Sequence, residues 1–401
     1  MEAQHPGLRS VLDAVRSGRP LSDSELAILE SQLRVLRAAG AANPPSAPEP
    51  QVTERSVPAL PGSMLTGGAR ADGTAAYAAA GPSTAGFYRV AQGLSLSSIG
   101  IGTYRGGQSA GVDAAYIAAL RYALAHGVNV IDTSLNYRRQ RSEVCVGAAL
   151  RHFVESEHGR RDGVLVASKG GFLVPGALPR HLPFADEIVG GAHCLAPSFL
   201  ADQLDRSRRN LGLDVIDLYY LHNPETQARV VDPRIFASRI TRAFEYLEYA
   251  ADEGLIGWYG IATWDGFASG LLSLPTLAAT ARRVGGERHR FRFVELPLSL
   301  GLLDTLPALE NGVLREAPDL GITVLASAAL MQGRVSRDLP QWITRAMPGL
   351  SDAQRAIQFV RSIPGLTTAL VGMRDGAHVR ENLDLAAHPP LTTAEYRALL
   401  D

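Results

Sequence analysis

The stretch VIDLYYLHNPETQARVVDPRIFASRITRAFEYLEYAADEGLIGWYGIAT (215–263) decides the fold. It opens on a β-rich run, VIDLYYLH (215–222), passes through a helical segment near 234–254 and returns to a second β-rich run, IGWYGIAT (256–263). Two such runs joined by a helix predict the βαβ unit of a parallel sheet. The alternation continues both ways. Upstream lie SSIGIGT (97–103), VNVID (128–132) and GVLVASK (163–169); downstream lie FRFVELP (291–297), ITVLAS (322–327) and TTALVG (367–372). Helical candidates fill the gaps near 113–126, 142–155, 197–211, 265–284, 304–319, 351–362 and 376–387. Eight βα units in about 300 residues predict an α/β fold of the (β/α)8 TIM-barrel type. A doubly wound sheet is the rival, and it carries a glycine-rich phosphate turn after its first strand. Here GIGTYR (100–105) puts Arg105 where the third glycine belongs, and the sequence has no P-loop.

Outside the barrel the pattern changes. Leu8, Val11, Leu12 and Val15 recur at helical spacing. Ser22 and Glu25 form a capping-box signature ahead of the stripe Leu26, Leu29, Leu33 and Leu36. These features predict a helical hairpin over 1–40, too small to bury a core alone. The prolines at 44, 45, 48 and 50 open a Pro/Gly/Ala-rich linker expected over 41–86. The barrel is expected over 87–390 and a C-terminal tail over 391–401.

Composition narrows the function. Of 401 residues, 46% are hydrophobic and 20% charged, a globular balance. Thirty-nine basic residues against 40 acidic leave a net charge of −1, which argues against nucleic-acid binding by bulk charge. Two cysteines exclude a disulfide framework and a four-cysteine zinc site. The apolar runs are too short for a membrane span, and the N-terminus lacks the apolar core of a secretory signal. A cytoplasmic enzyme acting on a small molecule is the expectation, with no membrane or metal.

In a barrel, side chains at the C-terminal strand ends converge on one mouth. Those ends read Asp132, with Tyr137 five residues on, then Lys169, then His222 followed by Asn223. A phenol keeps its proton at neutral pH, and a nearby ammonium favours its ionisation. Lys169 is expected to lower Tyr137 in this way, with Asp132 holding Lys169 charged. His222 can then bond a carbonyl oxygen while Tyr137 protonates it. No side chain supplies a hydride, so a nicotinamide must.

GVNVIDTSLNY and RSEVCVGAAL (within 127–150), VLVASKGG (164–171), RSRRNLGLDVIDLYYLHNPE (206–225), GIATWDGF (260–267), GITVLASAALMQGRV (321–335) and LVGMRDGAHVRENL (370–383) together resemble the aldo-keto reductase superfamily. The resemblance spans essentially 87–390 and implies an NAD(P)H-dependent carbonyl reductase. Its Asp, Tyr, Lys and His tetrad falls on Asp132, Tyr137, Lys169 and His222. The cofactor positions it implies are Gly102, Thr103, Tyr104, Asp132, Thr263, Trp264, Glu295, Ser327, Leu330, Gln332, Gly333, Gly372, Met373, Arg374, His378, Glu381 and Asn382. Three depart from the family pattern. A Ser-Asn pair becomes Thr263-Trp264, a Gln becomes Glu295, and an aromatic that stacks on the nicotinamide becomes Ser327. An ionised glutamate accepts hydrogen bonds but donates none. His378 and Arg374 are the candidates for a 2′-phosphate, favouring NADP(H) over NAD(H). Tyr104, Phe172, His222 and Asn223 are the candidate substrate contacts, with Trp264 at the same mouth.

Other features stay open at this level. Arg138, Arg139 and Arg141 form either a solvated loop or a site for phosphate or an anionic substrate. Cys145 reads as a small core residue, and Cys194 beside His193 offers too few ligands for zinc. The long segment 172–194 is expected to shape the substrate pocket. The resemblance also admits a nucleotide-binding regulatory barrel with little turnover, as in channel β subunits, or a dedicated biosynthetic redox enzyme. A homo-oligomer or a partner docked on 1–40 fits the extension.

Overall fold

The computed structural model describes residues 62–175 and 184–400, besides the isolated Ser22 and Ser24. The hairpin expected over 1–40 and the proline-rich part of the linker lie outside the described residues. A short antiparallel pair, β1 (Tyr88–Ala91) and β2 (Leu94–Ser97), precedes the barrel. Its turn is Gln92-Gly93, both at positive φ, the backbone a two-residue hairpin requires. Eight strands follow: β3 (Ile99–Gly102), β4 (Val130–Asp132), β5 (Leu165–Gly170), β6 (Ile216–His222), β7 (Ile256–Ala262), β8 (Phe291–Pro297), β9 (Thr323–Ser327) and β10 (Leu366–Gly372). Each pairs in parallel with the next, and β10 closes on β3. The chain is a (β/α)8 TIM barrel, and its eight barrel strands are the eight runs read from the sequence.

Burial explains why those runs were legible. Every residue of β6 is buried, because helices cover its outer face and the barrel core its inner one. The inner core stacks Val130, Leu165, Ala167, Leu218, Tyr220, Phe293, Leu325 and Leu370 with Leu94 and Leu96 of β2. The β1–β2 hairpin therefore plugs the floor, the N-terminal end of the strands. Asn129, just before β4, ties it down: its Oδ1 accepts from Ser97 N at 2.9 Å and its Nδ2 donates to Ser95 O at 2.8 Å.

Some expectations change. Within the expected 41–86 linker, Ala71–Ala80 is a helix. It has no apolar stripe; polar anchors hold it, with Tyr77 donating to the Val128 carbonyl at 3.0 Å and Arg70 N to Asp162 O at 2.9 Å. The helix expected at 265–284 begins only at Leu274, capped by Ser273, and the one at 304–319 is broken at Gly312. The tail at 391–401 contains a capped helix, Thr393–Ala398, whose Tyr396 packs on Phe359 with ring centroids 5.4 Å apart. Among the described residues no helix is long and apolar enough to cross a membrane.

Candidate active site

Strand register brings the expected polar groups into one layer at the barrel mouth. Asp132 on β4 pairs with Ala167 of β5, two residues before Lys169. Lys169 pairs with Tyr220 of β6, and His222 at the end of β6 pairs with Ala262 of β7. Ala262 pairs in turn with Glu295 of β8. All these side chains point into the barrel. Lys169 is 1% exposed and makes a hydrogen-bonded ion pair with Asp132. Its Nζ also donates to Thr133 O at 3.2 Å, lies 3.3 Å from Glu295 Oε2 and sits 5.0 Å from the Tyr137 ring centroid. The Tyr137 ring meets His222 edge-on at 5.9 Å and Tyr104 at 5.0 Å. Asp132, Tyr137, Lys169 and His222 thus form one constellation.

Burial sets the protonation states. It pushes the Tyr137 phenol above its ordinary value; Lys169 works against this, while Asp132 and Glu295 reinforce it. The expected lowering of Tyr137 by Lys169 is therefore outweighed, since desolvation disfavours the phenolate more than one ammonium favours it. Burial alone would lower Lys169, but Asp132 and Glu295 hold it charged and raise it. Burial, then Lys169 and His193, drive His222 well below its ordinary value, so its ring is neutral. Ser134 Oγ stands 3.3 Å from His222 Nδ1. Burial and the neighbouring Asp132 charge raise Glu295 to about 8. Both causes favour its protonated form, in which a carboxyl can donate as well as accept.

Other predicted residues take varied places. Gly102 and Gly372 pair across β3 and β10 beside Asp132. Thr103 is buried and bonds Thr133 Oγ1 at 2.8 Å. Tyr104 and Trp264 are the exposed aromatics of the mouth, at 57% and 50%. Thr263 Oγ1 accepts from Gly266 N at 2.9 Å. Ser327 ends β9, and the following loop runs Leu330, then Met331 and Gln332 at positive φ, then Gly333. Gln332 O is held by Arg105 at 2.6 Å. Met373 is buried, whereas Arg374 and His378 are exposed, the Arg374 guanidinium lying against Gly106. Glu381 gives its backbone carbonyl to Gln354 at 2.6 Å, and Asn382 is buried with an unpartnered Oδ1. Phe172 packs edge-on against His222 at 5.0 Å and His193 at 4.9 Å. Asn223, at positive φ, donates its backbone N–H to Ala262 O at 2.6 Å. Of the loop expected to shape the pocket, residues 176–183 lie outside the described ones.

Two of the three clustered arginines depart from both readings. Arg138 is buried and Arg141 half-buried, and both grip Asp113 at the start of the helix Ala110–Ala125. Arg138 also donates to Gly107 O at 2.9 Å and lies 5.0 Å over the Tyr116 ring. These two charges are spent internally on clamping the loop that carries Tyr137. The clamp holds Arg138, Arg139 and Gln140 at positive φ, a strained backbone for non-glycine residues.

Sequence reasoning missed two residues. Glu225, 3% exposed, accepts Trp264 N at 2.8 Å and so fixes the 263–264 turn. His193 donates from Nε2 to His222 O at 2.7 Å, while Gln227 Nε2 reaches its other ring nitrogen at 3.2 Å. A glutamate directly after the strand-end LHNP, and a histidine opposite it on the long loop, were the available signals.

Comparison with known proteins bears on this arrangement. Residues 98–340 match the model of the Aldo/keto reductase family. An uncharacterized oxidoreductase of Bacillus subtilis, YqkF, is 22% identical over 76% of this chain and 92% of its own length. A 6-dehydroglucose reductase of Novosphingobium aromaticivorans is 24% identical over 73% of this chain and 87% of its own. Among solved structures, an aldo/keto reductase from Klebsiella pneumoniae, in complex with NADP and acetate, superposes with a TM-score of 0.57 at 23% identity. That match covers 78% of this chain and 93% of the other. A glycerol dehydrogenase from Gluconobacter oxydans gives a TM-score of 0.59 at 20% identity, covering 79% and 95%.

Proposed function

This chain belongs to the aldo/keto reductase family of oxidoreductases, and from that premise we propose that it is an NADP(H)-dependent reductase of an aldehyde or ketone, reversible to alcohol oxidation. The observation that carries the reading is the buried Asp132–Lys169 pair set beneath Tyr137, with His222 beside it. Neutral His222 and the Tyr137 hydroxyl bind and orient the carbonyl oxygen. When bound above this cluster, a nicotinamide would supply the hydride. Tyr137 gives its proton to the oxygen as negative charge develops there, and the O–H bond of the phenol breaks as that of the alcohol forms. Lys169 then stabilises the phenolate, and Asp132 keeps Lys169 charged and in place. Tyr104, Phe172 and Trp264 wall the mouth and exclude water.

The residues present suit the cofactor. The unpartnered Asn382 Oδ1 is an acceptor of the kind an adenine amine requires, with Glu381 beside it. The unpartnered Glu295 Oε2 offers an acceptor to a carboxamide. Arg374 and His378, both exposed, would meet a 2′-phosphate, which favours NADP(H) over NAD(H). Catalysis is assigned to the barrel, with 1–40 as an accessory for self-association or a partner, in a cytoplasmic protein acting on small molecules.

The test is NADPH oxidation by purified protein over a panel of aldehydes and ketones, followed by nicotinamide absorbance. Turnover with any of them supports the reading; tight nucleotide binding with none overturns it. That second result would favour a regulatory barrel with little turnover, for which the occupied Thr263 hydroxyl and the Trp264 replacement speak.

A further inference from the structure

The barrel interior carries one more ionisable group than proton transfer through Tyr137 uses. Glu295 projects from β8 and is 5% exposed. Its Oε2 receives no aligned hydrogen bond and lies 3.3 Å from Lys169 Nζ. Its carboxyl also stands within hydrogen-bonding reach of Asp132. The groups that face it are Asp132 from β4, Lys169 from β5, Tyr220 from β6 and Tyr137 from the loop after β4. Lys169 is the one cation in this described cluster. Two carboxylates against one ammonium in a dry interior do not both stay ionised. Asp132 holds the direct bond to Lys169, so the proton resides on Glu295.

We propose that Glu295 is a positioning residue of the reaction centre that works in its protonated form: it keeps the charge beside Lys169 at a single carboxylate, and its ionisation suppresses proton delivery from Tyr137. The proposal rests on the reading of Tyr137 as the acid. When Glu295 loses its proton to solvent, a second negative charge faces the phenol and makes it a weaker acid. The titration falls in an accessible range, because burial and Asp132 place Glu295 at about 8. Burial raises Asp132 as well, with Lys169 pulling it back down, and the two carboxyls titrate as a pair. The remaining neighbours do not titrate there. Tyr137, Tyr220 and Lys169 are raised and His222 is driven well down.

Infrared difference spectra of the full chain without cofactor, recorded between pH 6 and pH 10, test the proton directly. A protonated-carboxyl band that disappears near pH 8 in the wild type, and is absent from Glu295→Gln at every pH, is expected. Labelling glutamate with 13C separates the band from Asp132. Glu143→Gln and Glu225→Gln separate it from the other buried glutamates that burial raises. If Glu295→Gln fails to fold, the labelled wild-type band with those two variants carries the test. The kinetic arm compares kcat/KM for carbonyl reduction at pH 7 and pH 9. The wild type should fall about tenfold and Glu295→Gln less than about twofold. A purely structural role would lower both values together. No titrating glutamate band, or the same alkaline fall in Glu295→Gln, overturns the proposal. If the chain reduces no carbonyl, the functional reading fails while the infrared spectra still decide the proton.

Discussion

The two ends of the barrel hold their buried charges differently. At the floor, Asp217 of β6 meets a single cation, Arg161, at 2.7 Å. Two backbone donors, Val166 N at 2.7 Å and Ala69 N at 2.5 Å, complete its coordination. Charge is balanced there and both Asp217 oxygens are bonded, while Arg161 Nε lacks a partner. At the mouth, Lys169 faces two carboxyls, Asp132 and Glu295, and acceptor atoms of Glu295, Glu225 and Asn382 lack partners. Positive φ at non-glycine residues is more frequent in the mouth loops than at the floor, where Gln92 and His158 adopt it. Arg138, Arg139 and Gln140 after β4, Asn223 after β6, and Ala328, Met331 and Gln332 after β9 all sit at positive φ in mouth loops. The floor is built for stability. The mouth stores imbalance and strain that a bound ligand can relieve, the pattern expected of functional sites.

Substitution at each end should therefore fail differently. Lys169→Met is expected to lower carbonyl reduction by about 10²–10⁴-fold, since the phenolate loses its counter-charge. Its melting transition should move little, because the two carboxyls left behind can take up a proton. Turnover and thermal unfolding of the same preparation check this. Asp217→Asn should do the reverse. Stranding Arg161 in the floor should cost about 3–5 kcal/mol, read by denaturant unfolding, with turnover per folded molecule retained.

A smaller contrast is in pH. Glu295 is at about 8 in the fold and about 4.3 when unfolded, so the folded state binds the extra proton between those values. Its contribution to stability is complete below the unfolded value and is lost as pH rises through 8. The melting temperature of the wild type should therefore fall relative to Glu295→Gln from pH 6 to pH 9.5. Asp217→Asn should shift by a constant amount over that range. The smallest effect belongs to strain. Arg139→Gly relieves a positive φ and should change stability by at most about 1 kcal/mol, because glycine's greater freedom in the unfolded chain offsets part of the gain.

The sequence disclosed the barrel because parallel strands covered on both faces leave short, mainly apolar β-rich runs such as those of β6 and β8. It concealed the floor hairpin, whose strands are four residues each, and the helix at 71–80, which carries no stripe. The tetrad positions were legible as strand ends. The fate of Arg138 and Arg141 was not, because their partner Asp113 lies 25 and 28 residues upstream. Glu295 was legible as a residue but not as an acid, since its proton is set by burial and by Asp132 from another strand.

The most direct test of the central claim compares Tyr137→Phe with the wild type, measuring nucleotide affinity and carbonyl reduction at pH 7 on one accepted substrate. The structure predicts unchanged nucleotide affinity and at least a hundredfold loss of turnover, about the lower bound for removing a general acid. Turnover preserved in Tyr137→Phe would contradict the account.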